Sequence, residues 1–324
     1  MYLPTLAELD AAATTVYEAM PATPQFSWPL LNEALGTQAW VKHENHTPTG
    51  AFKVRGGLVY MKALTAREPQ LGGVILATRG NHGQSLAFAA RRLGLRATIV
   101  VPHGNSVEKN AAMRALGAEL IEHGDEFQAA REHAQMLAAR DGLHMVPSFH
   151  PDLVAGVASG WLELLRAQPD LETLFVPIGQ GSGICAAIAA RQALGLQASL
   201  RIVGVVSKHA PAYQLSFRSK ANVSADVSTV LADGLACRVP DAQSLDMIFE
   251  FVDDVVSVTD DDVAQAMRLY YRTTHNLAEG AGAAGLAAAM RLKDDQRVRG
   301  RKIGLPLSGA NVDAALFRRV LLGD

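Results

Sequence analysis

Lys53 sits in the stretch Thr47-Pro48-Thr49-Gly50-Ala51-Phe52-Lys53-Val54-Arg55-Gly56-Gly57, at a glycine-flanked helix start and among small and apolar neighbours. Desolvation disfavours an ammonium, and a neutral amine is the form that attacks an aldehyde, so this setting points to Schiff-base chemistry. Lys42, the nearest competitor, alternates with Trp40 on a strand and is expected to face solvent. Four further segments bear on the chemistry: Thr78-Arg79-Gly80-Asn81-His82-Gly83-Gln84, Gly179-Gln180-Gly181-Ser182-Gly183, Ala232-Asp233-Gly234 and Ser308-Gly309-Ala310-Asn311.

Leu174 to Ile178 reads as a buried strand, Gly179 to Gly183 as a tight loop and Ile184 to Leu194 as a helix. The first amides of such a helix lack intrahelical partners and its dipole favours negative charge, so the loop suits a phosphate. A ligand-free strand-to-helix turn is the equally open alternative. A dinucleotide fits less well, because the glycines run GxGxG and the strand Ile202 to Val206 ends in Ser207-Lys208-His209, with no acid for a ribose. No GxxxxGK[ST] motif offers a nucleoside triphosphate site. Close approach of the backbone to the phosphate is expected to require Gly181, since a side chain there would obstruct it. Thr78 to Gln84 opens another helix and makes a second anion site suited to a carboxylate; the plainer reading is a helix start capped by Thr78 or Asn81. His82 alone reads as a packed or solvent-facing histidine. His43-Glu44-Asn45-His46 lacks HExxH spacing and is set aside as a metal site.

These segments need a frame, and short β-branched or apolar runs alternating with helical periodicities supply it, as in an α/β fold with largely parallel sheets. Strands are expected at Ala39 to His43, Val74 to Ala77, Thr98 to Val101, Glu119 to Glu122, Leu174 to Pro177, Ile202 to Val206 and Ile303 to Leu307. Helices are expected at Gln84 to Leu93, with Leu86, Ala89, Ala90 and Leu93 on one face, and at Asp260 to Thr273, with Val263, Met267 and Tyr270 inward and Asp260 as N-cap. Domain boundaries fall best at Leu71-Gly72-Gly73 and at Val146 to Pro151, which delimits a small inserted unit.

The 324 residues carry a net charge of −2, which removes a general electrostatic case for nucleic acid. Cys185 and Cys237 stand far apart with no CxxC, so neither a disulfide framework nor a zinc cluster is expected. The first residues carry acids and no basic n-region, and no apolar run reaches the roughly 20 residues of a membrane span, so a cytoplasmic enzyme is expected.

Taken together, the five motifs resemble the fold-type II family of pyridoxal-phosphate enzymes, in the serine/threonine dehydratase (threonine ammonia-lyase) and serine racemase branch. The resemblance runs from about Ser27 onward, with the motifs in family order. It implies a tryptophan synthase β-like α/β fold of two open, twisted, largely parallel sheets flanked by helices. Residues 1–72 and 147–324 would form the large, cofactor-binding domain, and 73–146 a small mobile domain closing over the substrate. Lys53 looks like the Schiff-base lysine and Phe52 like its neighbour against the cofactor ring. Asn81 is similar to the asparagine facing the cofactor's phenolic oxygen, and Thr78, Arg79, Gly80, Asn81 and His82 correspond to the substrate-gripping loop. Gly179, Gln180, Gly181, Ser182 and Gly183 look like the phosphate cradle, and Ser308 like the hydroxyl partner of the pyridine nitrogen. Gln180 and Ser182 interrupt what are usually four consecutive glycines, and Arg79 stands where racemising relatives carry a serine. Metal-dependent relatives carry acids after the strand matching Ile202 to Val206, whereas Ser207 to Ala212 supply no carboxylate, so no metal site is expected. The chain is also expected to lack the regulatory extension of biosynthetic threonine dehydratases. The implied function is dehydration of a β-hydroxy L-amino acid (threonine, serine, 3-hydroxyaspartate or a bulkier β-substituted serine such as phenylserine) to a 2-oxo acid and ammonia, with a homodimer as the assembly. An amino-acid racemase is the alternative within the family, and a nucleotide-binding α/β protein the alternative outside it.

Overall fold

The computed structural model describes residues 3–323. Helix α1 (Leu6–Tyr17) opens on a capping box formed by Thr5 and Glu8 and is followed by β1 (Gln25–Ser27), α2 (Pro29–Leu35), β2 (Gln38–His43) and α3 (Lys53–Arg67). The chain then runs through β3 (Val74–Ala77), α4 (Asn81–Arg92), β4 (Ala97–Val101), α5 (Val107–Ala115), β5 (Glu119–Glu122), α6 (Phe127–Asp141) and β6 (His144–Met145). After these come α7 (Pro151–Ala167), β7 (Thr173–Pro177), α8 (Ser182–Ala193), β8 (Arg201–Ser207), α9 (Ala212–Ser219), α10 (Ala242–Phe251) and β9 (Asp254–Val258). The last elements are α11 (Asp260–Thr274), α12 (Gly280–Arg291), β10 (Lys302–Leu307) and α13 (Ala314–Leu322).

The strands form two sheets, ordered β1-β2-β10-β7-β8-β9 and β5-β4-β3-β6. Every pairing is parallel except β1 with β2, where Ser27 faces Trp40. Parallel strands covered on both faces read as continuous apolar runs, and β3 (VILA) and β4 (ATIVV) are buried at every position. Ligands of such sheets gather beyond the carboxyl ends of the strands. Here β2, β7 and β10 of one sheet and β3 of the other all end on the same cleft, through Glu44, Gly179, Ser308 and Thr78.

Three sequence expectations need correction. Lys42 is not solvent-facing: it is 1% exposed, and its Nζ meets Glu163 Oε2 at 2.6 Å, because β2 is an inner strand with both faces covered. The N-cap of α11 is Thr259 in a capping box with Asp262, while Asp260 turns its carboxylate back onto Thr229, Val230 and Leu231. Leu93 closes α4 exposed rather than on its buried face. Strands β1, β6 and β9 were not foreseen.

Lys42 belongs to a buried ionic cluster beneath the cleft. Arg55 donates to Glu44 (2.7 and 3.0 Å) and to Glu163 (2.7 and 2.9 Å), with Ser159 and Thr23 completing its contacts. Burial opposes ionisation of Glu163, but Arg55 and Lys42 more than offset it and hold its pKa below the ordinary value. Removing one partner of such a set strands the others and costs about 3–5 kcal/mol. The cluster clamps α3 to α7, and the two helices touch backbone to backbone: a Cβ on Gly56 would lie 2.7 Å from Leu153 O, and one on Gly156 2.3 Å from Arg55 O. That contact fixes the first turn of α3, which carries Lys53.

Candidate active site

The cleft between the two sheets encloses a cavity of about 210 Å³. Lys53 begins α3 at its floor, with its amine donating to Ser182 Oγ at 2.7 Å and lying 5.1 Å from the centre of the Phe52 ring. Burial lowers its pKa to about 8, so a sizeable fraction of the amine is neutral near physiological pH. The Phe52 amide donates to the Ser308 carbonyl (2.9 Å), which ties the start of α3 to the end of β10.

Gly179 to Gly183 joins β7 to α8, whose N-cap Gly181 supplies no side-chain acceptor. The first amides of α8 are therefore open toward the cleft, as an anion requires. Gly179 rests against the wall made by Gly234, where a Cβ would lie 2.4 Å from the Gly234 carbonyl. Gln180 donates to Cys237 Sγ at 3.6 Å, away from the cradle. The backbone at Gly181 faces Ser244 behind the loop, so an added Cβ would meet Ser244 rather than a phosphate, and the obstruction expected from the sequence acts from behind. Ser308 is 8% exposed on the cleft wall, and its hydroxyl takes no hydrogen bond from a described residue.

Across the cleft stands the start of α4. Thr78 Oγ1 accepts from Gly80 N (3.1 Å), the turn-capping role. Asn81 instead spends its side chain on the opposite wall, donating to Glu279 Oε1 (2.6 Å) and accepting from Asn311 Nδ2 (2.8 Å). Arg79 is exposed at the rim and hydrogen-bonds no described residue. His82 Nε2 lies 3.1 Å from the Pro147 carbonyl; a carbonyl only accepts, so Nε2 carries the hydrogen and Nδ1 is the lone-pair nitrogen. Burial, then the nearby Lys53, push the His82 pKa down to about 3, and the ring is neutral.

The cleft thus gathers Lys53, Phe52, the Thr78 to His82 segment, the Gly179 to Gly183 loop and Ser308 around one cavity. It also contains residues to which the sequence assigned no role. Glu279 is 3% exposed, and burial, opposed by Lys109, raises its pKa to about 7. Its Oε2 has no hydrogen-bond partner, and Lys109 Nζ stands 3.7 Å away while bonding Asp233 Oδ2 at 2.6 Å. Asp233 and Asn311 lay inside segments singled out above, but Lys109 and Glu279 carried no local pattern. Among the described residues, no group of three or more His, Cys, Asp or Glu is arranged to hold a metal ion.

An amine beside an open helix N-terminus, a flat apolar wall from Phe52 and an unpaired hydroxyl at Ser308 on the cleft wall fit an aldehyde-bearing aromatic phosphate. The comparisons with known proteins agree. The chain is 32% identical to an L-threonine ammonia-lyase of Thermotoga maritima over 98% of its length and 78% of that protein's. It is 33% identical to an L-threo-3-hydroxyaspartate ammonia-lyase of Saccharomyces cerevisiae over 100% of its length and 98% of that protein's. Among solved structures, a pyridoxal 5'-phosphate-dependent aspartate racemase superposes with a TM-score of 0.91 at 27% identity, covering 97% of this chain and 98% of that one. Residues 16–309 match the family model described as pyridoxal-phosphate dependent enzyme, and the chain belongs to that family.

Proposed function

We propose that this protein is a pyridoxal-phosphate-dependent ammonia-lyase that dehydrates a β-hydroxy L-amino acid to a 2-oxo acid and ammonia. The observation that carries the reading is the Lys53 amine, with its pKa near 8, seated 2.7 Å from Ser182 Oγ at the open start of α8. The ammonia-lyases at 32% and 33% identity support the reaction class. When bound, pyridoxal phosphate supplies the electron sink that stabilises negative charge at the substrate's Cα. Lys53 would hold the cofactor through Nζ, and the same atom, with its pKa lowered by burial, is placed to take the proton from the substrate's Cα. The amides of Ser182 and Gly183 would hold the phosphate, and Ser182 Oγ orients the Lys53 amine. Ser308 would offer the cofactor's ring nitrogen a neutral hydroxyl that imposes no proton there, which would favour prompt loss of the β-hydroxyl. Arg79 and the amides at the start of α4 hold the substrate carboxylate. Closure of residues 73–146, as a small domain, onto 1–72 and 147–324 excludes water.

A racemase is the second reading, favoured by the likeness to the aspartate racemase structure. Racemisation needs an acid or base on the face opposite Lys53, and the Arg79 guanidinium offers donors only, with no acceptor for the Cα proton. Incubation with L-serine separates the two. Pyruvate should accumulate with little D-serine, and Arg79→Ala should raise KM; D-serine forming faster than pyruvate would overturn the lyase reading.

We take the working assembly to be a cytoplasmic homodimer. Phe26 and Leu30, 48% and 57% exposed, leave apolar surface beside the edge strand β1 for a second copy to cover. Both cysteines are free, as in a reducing compartment, and no described helix is long and apolar enough to cross a membrane.

A further inference from the structure

Lys109 belongs to α5, in the unit built on the four-stranded sheet, yet its ammonium lies in the wall of the other unit. It is 7% exposed, donates to Asp233 Oδ2 at 2.6 Å and approaches Glu279 Oε2 at 3.7 Å. Burial lowers its pKa, but Glu279 and Asp233 outweigh that and leave the ammonium favoured. On the way to those acids its aliphatic stem crosses the Thr78 to Gln84 loop, where a Cβ on Gly80 would sit 2.5 Å from Lys109 Cδ. One side chain therefore packs on the backbone of the loop and ion-pairs with the wall opposite.

The contacts around it run the same way. Ser106 donates to Asp313, Glu108 accepts from the Ala314 amide at 2.8 Å, and Asn81 bonds both Glu279 and Asn311. Of these, Lys109 supplies the ion pair and is the one that also presses on Gly80. Glu279 precedes α12 without capping it and turns its carboxyl toward Asn81 and Lys109 instead. A lost ammonium would leave Asp233 and Glu279 close together in one wall without the cation they share.

We propose that Lys109 is a positioning residue that latches the Thr78 to Gln84 loop against the Asp233 and Glu279 wall, so that the loop is ordered for its ligand only while the ion pair is made. The latch rests on the reading of the cleft as an amino-acid site only for its effect on KM. A substrate binding a closed state that is fractionally populated has its apparent affinity reduced by that fraction.

Hydrogen exchange on the substrate-free holoenzyme tests the latch directly. Lys109→Met keeps the stem over Gly80 and removes the charge, and it should speed exchange of the 78–84 peptide about tenfold or more. Lys109→Arg should restore most of the protection, and Asp233→Asn, at a partly exposed position, should reproduce the loosening in a chain whose fold is little strained. Unchanged exchange in both Lys109→Met and Asp233→Asn overturns the proposal. In turnover with L-threonine or L-serine, Lys109→Met should raise KM by about 10–100-fold with kcat changed far less. A fall in kcat at constant KM would also overturn it. If the wild type makes no oxo acid from either amino acid, the substrate reading fails while the exchange arm still decides the latch.

Discussion

Gly181 carries a prediction whose size follows from its surroundings. Its φ is +96°, a left-handed backbone value, and an added Cβ would lie 2.4 Å from Ser244 Cβ, 2.7 Å from Ser244 Oγ and 3.3 Å from the Tyr213 hydroxyl. Ser244 has little room to retreat. Its hydroxyl is 2.6 Å from the Tyr213 hydroxyl and donates to Asp241 O at 2.9 Å, and its amide donates to Asp241 Oδ1 at 3.0 Å. A left-handed backbone costs an L-residue about 1–2 kcal/mol, and overpacking a filled site typically costs about 1–3 kcal/mol. Gly181→Ala should therefore lose about 2–5 kcal/mol in all, shared between the fold and the cradle. The loop relieves the clash by moving toward the cleft, which spoils the amide array. At a factor of ten per 1.4 kcal/mol, cofactor affinity should fall about tenfold to a thousandfold. Absorbance titration of the stripped protein with pyridoxal phosphate reads the second part, and a thermal melt the first. Gly183→Ala is the control for stability, since its Cβ would meet the Phe52 ring at 3.6 Å and Pro177 O at 3.8 Å, both ordinary contacts. A Gly181→Ala protein that melts with the wild type and binds cofactor equally well would refute the reasoning.

Lys53→Ala should abolish the visible chromophore that borohydride reduces in the wild type, together with essentially all turnover; near-normal turnover would remove the lysine from the mechanism. Chelation should leave activity unchanged, and a loss restored by magnesium or calcium would reveal a cation site elsewhere. Glu279 supplies a pH test. Its folded pKa of about 7 lies above the ordinary 4.5, so its contribution to stability is fully present below pH 4.5 and is lost as pH rises through about 7. At 1.36 kcal/mol per pH unit that interval corresponds to about 3 kcal/mol. Glu279→Gln should therefore flatten the fall in stability between pH 5 and pH 8, measured by denaturant midpoints, and parallel slopes in the two proteins would show that the carboxyl is not held protonated.

Much of the frame was written in local pattern. β3 and β5 fall on the residues their apolar runs marked, and the other expected strands extend by a residue at one or both ends. β1 and β6, of three and two residues, are too short for periodicity to register, and β9 opens on acids that read as loop. Lys42 was misread because alternation is informative only where one face of a strand meets water, and β2 is covered on both faces by the time it reaches Lys42, although it opens on an exposed Gln38. The glycine loops and Lys53 were legible because their chemistry is carried by residues adjacent in sequence. Lys109 and Glu279 were not, since each is an ordinary charged residue until the fold places the other beside it.

Strand β10 lies between β2 and β7 in the six-stranded sheet, although it follows all the other described strands in sequence. During synthesis, then, β1 and β2 on one side and β7, β8 and β9 on the other emerge as two separate pieces, each with an open edge. The four-stranded sheet is complete once Met145 has left the ribosome, but the six-stranded one waits for Lys302 to Leu307. Chains interrupted before that point present unpaired parallel edges of the kind that seed aggregation. Completion of the six-stranded sheet therefore waits on β10: the cleft gains its Ser308 wall, and the sheet its middle, in the same step.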